Sequence, residues 1–270
     1  MDQLHEKYNS LQSRLLELGS LAVAFSGGVD STFLLQVAHD VLGDRTLAVT
    51  AAPPFVPVRE QKEASDYCRE AGIRQIVIPP EVLNIDSIRH NPPDRCYHCK
   101  RLIFGKIIEA VQQNGIPSVA EGSNTDDTGD YRPGMRAIRE LGVLSPLLDA
   151  GLSKSDIRSL SKELDLPTWD KPSFACLASR FVYGEAITDE RLAMVNRAEQ
   201  LLLDLGFRQF RVRIHGDLAR IEILPADFTK IMAADCRKKV YSKLKAYGFS
   251  YVTLDLAGYR TGSMNEVLKR

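Results

Sequence analysis

"AVAFSGGVDSTFL", residues 22–34, starts as an apolar strand and ends as an apolar helix, with Ser26, Gly27, Gly28, Asp30, Ser31 and Thr32 crowded into the turn between them. Two adjacent glycines let a backbone come close to a ligand and take conformations closed to other residues. A helix that begins in such a turn points its free N–H groups and positive dipole end at whatever occupies it. With hydroxyls from Ser26, Ser31 and Thr32, the turn is a seat for phosphate oxygens. It has neither the Gly-Lys-Ser/Thr ending of a Walker loop nor the Gly-x-Gly-x-x-Gly spacing of a dinucleotide fold. The competing reading is a tight strand–helix turn capped by Asp30 and Ser31.

The pattern around this turn indicates its setting. A helix with Leu4, Tyr8, Leu11, Leu15 and Leu18 on one face precedes the first strand, Leu21 to Phe25. A helix from about Ser31 to Leu42 follows it, then "TLAVTAA" as a strand, a helix closed by Gly72, the strand "IRQIVIPP" and a helix near Lys100 to Asn114. Alternation of this kind predicts an α/β fold, a parallel sheet sandwiched by helices. Ligands of such sheets lie beyond the carboxyl ends of the strands, where the Gly-Gly turn falls. "EGSNTDDTGDYRPG", 121–134, follows a further strand and belongs to the same edge.

Past Pro167 the rhythm changes. An irregular stretch runs from Trp169 to Gly184, then come a helix over about 188–205, a hairpin in "FRQFRVRIHGDLARIEI" turning at His215-Gly216-Asp217, a helix over about 228–247 and a last strand, "SYVTLDL". The expected organisation is a nucleotide-binding domain over 1–170, a linker over 171–186 carrying Cys176, and a smaller α+β domain over 187–270.

Composition narrows the classes. The 270 residues carry 35 Lys plus Arg against 35 Asp plus Glu, for a formal charge of zero. A protein that grips many nucleic-acid phosphates usually has a basic excess, so nucleic acid is not the expected ligand. No apolar run approaches the ~20 residues of a membrane span, and the charged first twenty residues lack the apolar stretch of a secretory signal. The expected compartment is the cytoplasm.

Five cysteines, an odd number, do not suit a disulfide framework. Cys96 and Cys99 in "PPDRCYHCKR" have the C-x-x-C spacing that converges two sulfurs on a metal or cluster, with thioredoxin-type redox chemistry as the rival. Cys176 in "DKPSFACLASRFVYG", flanked by Ser173, Ser179 and Arg180, is the natural third thiolate. Three thiolates on a cubane leave one iron open to an exogenous ligand. The alternative is three ordinary, partly buried thiols; Cys68 and Cys236 are read as structural.

Residues 26–31, "SGGVDS", resemble the pyrophosphate loop of the ATP pyrophosphatase superfamily. With "AFSGGVDSTFLL", "DYRPG", "CLASRFVYG", "RVRIHGDLARIEI" and "YVTLDLAGYRTGSMNE", the likeness over nearly the whole chain is to the LarE family of ATP-dependent sulfur transferases. That resemblance implies an adenine-nucleotide alpha-hydrolase-like sheet with a smaller α+β domain. It implies ATP bound by Ala24, Ser26, Gly27, Gly28, Asp30, Ser31 and Thr32, with Gly122, Asn124 and Asp127 beside it and Mg2+ on Asp30. It also implies a pyridinium-3,5-biscarboxylate mononucleotide whose carboxylates are adenylated, pyrophosphate leaving, and then converted to thiocarboxylates. Members of the family either sacrifice a cysteine at the position of Cys176 or hold a [4Fe-4S] cluster carrying an extra sulfide. The C-x-x-C pair favours the second, with Cys96, Cys99 and Cys176 as ligands. Arg211 and Arg213, alternating along one strand and so facing one side, are expected at a substrate or phosphate site, with Glu199 and Glu222 as further candidates and Arg180 offsetting substrate charge. A solvated strand face is the other reading of the two arginines. A homo-oligomer is implied, hexamers occurring in the family. The other functional readings are a cluster-dependent tRNA thiolase, an ammonia-dependent synthetase of the NAD or GMP type, and a nucleotide-binding module that leaves ATP intact.

Overall fold

The computed structural model describes residues 3–129, 133–172 and 175–265. In chain order its elements begin α1 (Gln3–Leu18), β1 (Leu21–Ala24), α2 (Val29–Leu42), β2 (Thr46–Ala51), α3 (Val58–Glu70) and β3 (Gln75–Ile78). There follow α4 (Asp86–Arg89), α5 (Arg95–Gln113), β4 (Val119–Ala120), α6 (Pro133–Glu140), α7 (Pro146–Asp149) and α8 (Lys154–Glu163). The chain continues through α9 (Asp189–Asp204), β5 (Phe210–His215), β6 (Leu218–Ile223), α10 (Phe228–Met232), α11 (Ala234–Ala246) and β7 (Tyr251–Leu254).

The chain folds as two compact units, one of residues 1–82 and 94–174, the other of 83–93 and 175–270. The first has a parallel sheet in the order β3-β2-β1-β4. Winding runs outward from β1 through β2 to β3, then returns to the other side of β1 for β4. β1 therefore flanks the point where the winding reverses, the place at which α/β sheets open a crevice for ligands. Period-2 alternation gives each face of the sheet its own core. Leu21 and Val23 join Leu11, Leu15, Phe33 and Leu160 on one face. Ala22 joins Leu47, Val49, Phe104 and Ile107 on the other.

In the second unit, β5 and β6 form an antiparallel hairpin and β7 pairs parallel to β6. Gly216, at φ +56°, makes the two-residue turn possible. Residues 83–93 join this unit although they lie far from it in sequence. The amide of the buried Asn91 side chain donates to the carbonyls of Phe181 (3.1 Å) and Val182 (2.8 Å), and Gly184 N donates to Asn91 O.

Two elements differ from the sequence expectation. α5 begins at Arg95 rather than near Lys100 and takes both C-x-x-C cysteines into its first turns. Arg-Cys-Tyr-His is not a strong helix-forming run, which hid this start. The helix expected over 228–247 is broken at Ala233, whose ψ of 136° is extended, into α10 and α11. Asp130, Tyr131 and Arg132 of the "DYRPG" motif, Ser173 beside Cys176, and Glu266 at the end of the last motif lie outside the described residues.

Candidate active site

β1 is anchored to its end by the Phe25 N–H donating to Val49 O, and the chain then turns into α2. The first rung of that helix is Thr32 N to Gly28 O, so the amides of Val29, Asp30 and Ser31 lie ahead of it without intrahelical partners. The two glycines do different work. Gly27 has φ +71°, and a Cβ there would meet Ala64 of α3 at 3.2 Å. Gly28 has an ordinary extended φ of −84° and serves as the N-cap. A Cβ at Gly28 would meet Ser26 Oγ at 3.4 Å, an ordinary contact.

Hydroxyls shape the turn from inside. Ser31 Oγ accepts from Ser26 N (3.3 Å), pairs with Ser26 Oγ (3.0 Å) and donates to Gly28 O (3.2 Å). Thr32 is fully buried, and its Oγ1 has no hydrogen-bond partner among the described residues.

The loop after β4 closes on the same spot. A Cβ on Gly122 would lie 3.0 Å from Ser31 N and 3.2 Å from Asp30 Cβ, so only glycine lets the two loops touch. Asn124 holds the loop in shape: its Oδ1 accepts from Asp126 N (3.0 Å), and its own N–H donates to Asp127 Oδ2 (3.0 Å). Its Nδ2 reaches Asp30 Oδ1 at 3.4 Å. The structure thus brings Ser26, Gly27, Gly28, Asp30, Ser31, Gly122 and Asn124 together, with Asp127 supporting from behind and Ala24 supplying the strand end.

Two lysines that carry no sequence signature of a site complete this edge. Lys154, the first residue of α8, pairs through Nζ with Asp30 Oδ2, and its N–H donates to Asp126 Oδ2 (3.0 Å). Lys171 Nζ donates to Gly27 O (2.9 Å) and pairs with Glu63 (2.8 Å). Asp30 therefore already faces a cation, and its hard oxygen donors suit Mg2+.

Cys96 and Cys99 sit three residues apart on α5 and so share one helix face, Cys96 exposed and Cys99 buried. Arg95 Nη2 lies 3.7 Å from Cys96 Sγ. His98 turns instead to Asp94, at 3.1 Å. Among the described residues, no three His, Cys, Asp or Glu side chains gather as a metal-binding group. Burial pushes the Cys68 thiol up to about 12, which keeps it protonated and unreactive.

In the second unit Cys176 caps a 3-10 turn, Leu177–Arg180, and is partly exposed. Arg180, 1 % exposed, makes a two-pronged pair with Glu199 (both contacts 2.8 Å). Its Nη1 donates to the carbonyls of Ala175 (2.6 Å) and Cys176 (3.2 Å) and to Ser179 Oγ (2.8 Å). This side chain positions the backbone that carries Cys176.

Arg211 and Arg213 are buried, which sets aside the solvated-face reading. Arg213 pairs with the fully buried Glu222 (3.0 Å) and donates to Ser179 O (2.7 Å) and Ser263 Oγ (2.9 Å). Arg220 adds a second guanidinium to Glu222 at 2.9 Å. Arg211 lies over the Tyr259 ring, 5.2 Å from its centroid. Burial and the neighbouring Arg180 bring the Arg211 guanidinium down to about 10, still charged at neutral pH. Burial pushes the Glu199 carboxyl up, but the charges of Arg180 and Arg211 and the hydrogen bonds from Arg180 and Val212 N–H together outweigh it, and the net shift is downward. Arg180 and Arg211 face Glu199, Arg213 and Arg220 face Glu222, and Arg220 and Arg260 also meet Asp255 at 3.6 and 3.7 Å, so guanidiniums outnumber carboxylates here.

No helix among the described residues is long and apolar enough to cross a membrane. No family model matches the chain. It is 39% identical over 267 residues to the uncharacterized protein slr1717 of Synechocystis, covering 99% of this chain and 100% of that one. It is 38% identical over 271 residues to the pyridinium-3,5-bisthiocarboxylic acid mononucleotide synthase of Lactiplantibacillus plantarum, covering 100% and 98%. A more distant likeness, 25% identity over 68% of this chain and 63% of the relative, is to a component of the glutamine-hydrolyzing GMP synthase of Thermoplasma volcanium, another pyrophosphate-loop protein. An α/β sheet whose reversal point holds a Gly-Gly loop, and end-to-end similarity to a synthase of known product, lead to one conclusion: this chain is an ATP-dependent enzyme of the LarE family.

Proposed function

We propose that this enzyme adenylates the carboxylates of pyridinium-3,5-biscarboxylic acid mononucleotide and converts them to thiocarboxylates. The observation that carries this reading is the Gly27–Gly28 turn with the open amides of Val29, Asp30 and Ser31 behind it, in a chain that matches a synthase of that product throughout.

Adenylation needs a triphosphate held so that a substrate carboxylate oxygen can reach its α-phosphorus. The amides at the head of α2 supply fixed dipoles for the phosphate oxygens at no reorganisation cost. Asp30 is the residue that would hold Mg2+, which offsets charge on the phosphates. The carboxylate oxygen bonds to the α-phosphorus, the bond to the β-phosphate oxygen breaks, and pyrophosphate departs. A sulfur nucleophile then attacks the acyl carbon, the bond to the adenylate oxygen breaks, and AMP leaves with the electron pair. Two such rounds give the bis-thiocarboxylate.

Cys96, Cys99 and Cys176 would hold a [4Fe-4S] cluster, which would supply a renewable sulfide. The three residues fit by type: two thiols on one helix face and a third in a partly exposed turn. Arg180 acts through Cys176 by fixing its carbonyl. Arg211 and Arg213, with Glu199 and Glu222 offsetting part of their charge, make a cationic region suited to the substrate's phosphate.

The test is a coupled assay with the purified protein, ATP and the biscarboxylate nucleotide. Pyrophosphate should be released only when the carboxylate is present, and the product's mass should gain sulfur in place of oxygen. ATP turnover without the carboxylate, or pyrophosphate with no sulfur in the product, would contradict the proposal.

A further inference from the structure

Asp30 is occupied by a cation that belongs to the protein. Its Oδ2 pairs with Lys154 Nζ, while Oδ1 faces Asn124 Nδ2 and the Gly122 loop closes over its Cβ. The backbone of Lys154 is fixed twice, by its N–H on Asp126 Oδ2 and by the capping box of Ser153 and Asp156 that starts α8. α8 in turn packs on α2 through Ile157 and Leu160 in the shared core. The side chain is less constrained, being 30 % exposed at the end of a flexible four-carbon stem.

We propose that Lys154 is an internal counter-ion of the metal seat. It neutralises Asp30 while no nucleotide is bound, gives the carboxylate up when the metal arrives with ATP, and then turns its ammonium to the triphosphate. This rests on the reading of the Gly27–Gly28 turn as the ATP seat.

The charge logic favours such an exchange. A carboxylate beside the open amides of α2 would repel the phosphates if left bare. With Lys154 on it, the seat is neutral before binding. With a divalent ion on it, the released ammonium stands at the same edge as the incoming phosphate oxygens. Each state keeps Asp30 paired, and the moving part is one side chain on a rigid helix start. A purely structural pair would tie α8 to α2 permanently. That reading leaves unexplained why the tie is made at the one acidic residue of the phosphate turn, when apolar packing already joins the two helices.

The competition has a signature with two opposite signs. Removing Lys154 should make it easier for a metal to bind the nucleotide-free protein, and harder for ATP to bind. A part-exposed ion pair is a modest competitor, so the metal effect should be about fivefold. The test uses Mn2+ as the metal probe, read by electron paramagnetic resonance on nucleotide-free protein, and a fluorescent ATP analogue for nucleotide affinity. Lys154→Gln should bind Mn2+ about fivefold more tightly than wild type and ATP at least tenfold more weakly. Lys154→Arg, whose fork grips a carboxylate harder, should bind Mn2+ more weakly than wild type. Asp30→Asn should abolish the Mn2+ signal in every background.

Thermal melts identify any variant that does not fold, and Lys154→Arg keeps the test open if Lys154→Gln is one. Mn2+ affinity that ignores residue 154, or losses of metal and ATP binding that run in parallel, would overturn the inference. A wild-type protein that binds no ATP at this turn would instead refute the functional reading beneath it, so the two failures are distinguishable.

Discussion

The two units handle charge in opposite ways. In the first, polar groups are gathered and left open: three helix-start amides without intrahelical partners, a carboxylate facing a part-exposed lysine, and a glycine at each close approach. In the second, charges are buried and paired, Arg180 on Glu199 and Arg213 on Glu222, in a cluster where guanidiniums outnumber carboxylates and nearby carbonyls and hydroxyls take up further donors. An open set of donors is a place for a ligand to complete. A buried pair holds a backbone in one shape, and Arg180 on Glu199 holds the backbone that carries Cys176.

Substitutions at the two regions should therefore fail differently. The largest effect is expected at Gly122→Val, whose side chain would be driven into Ser31 N and Asp30. ATP-dependent pyrophosphate release should fall more than a hundredfold, measured beside a thermal melt that shows the fold retained. Next is Arg180→Ala, which strands the Glu199 carboxylate in the interior. It should destabilise the second unit by about 3–5 kcal/mol in urea unfolding while ATP affinity of the folded protein is kept. An equal loss of ATP affinity would break the separation of roles.

Acid sharpens the same contrast. The folded Glu199 pKa lies below its ordinary value, so its contribution is complete above about 4.3 and is lost as the pH falls through the lower folded value. Unfolding midpoints between about pH 6 and pH 3 should drop more steeply for wild type than for Glu199→Gln. The smallest effect belongs to the first unit. Ser153→Ala removes one half of the α8 capping box and should cost about 1 kcal/mol in urea unfolding, with the pH profile of the second unit unchanged.

Much of the first unit was legible in the sequence because local signals and tertiary placement agree there. The strand–turn–helix pattern fixes the site to a strand's carboxyl end, and the alternation of elements sets the parallel sheet. Lys154 and Lys171 were not legible, because each reaches the turn from more than a hundred residues away and neither carries a motif. The second unit was read less well for the opposite reason. Arg-x-Arg on a strand looks the same whether it faces water or two buried carboxylates, and only the tertiary pairing with Glu199 and Glu222 decides. The start of α5 was hidden by weak helix formers, and the joining of 83–93 to the second unit depends on Asn91, a residue with no local signature.

On the function proposed, ATP-driven activation of the carboxylate would be served by sulfur from a three-cysteine cluster. Iron and acid-labile sulfide, measured after anaerobic reconstitution of wild type, Cys99→Ala and Cys176→Ala, test it most directly. Wild type should hold about four irons per chain, lost in both variants, with ATP binding unchanged. Wild-type protein that holds no iron yet transfers one sulfur, with Cys176 left as dehydroalanine, would contradict it.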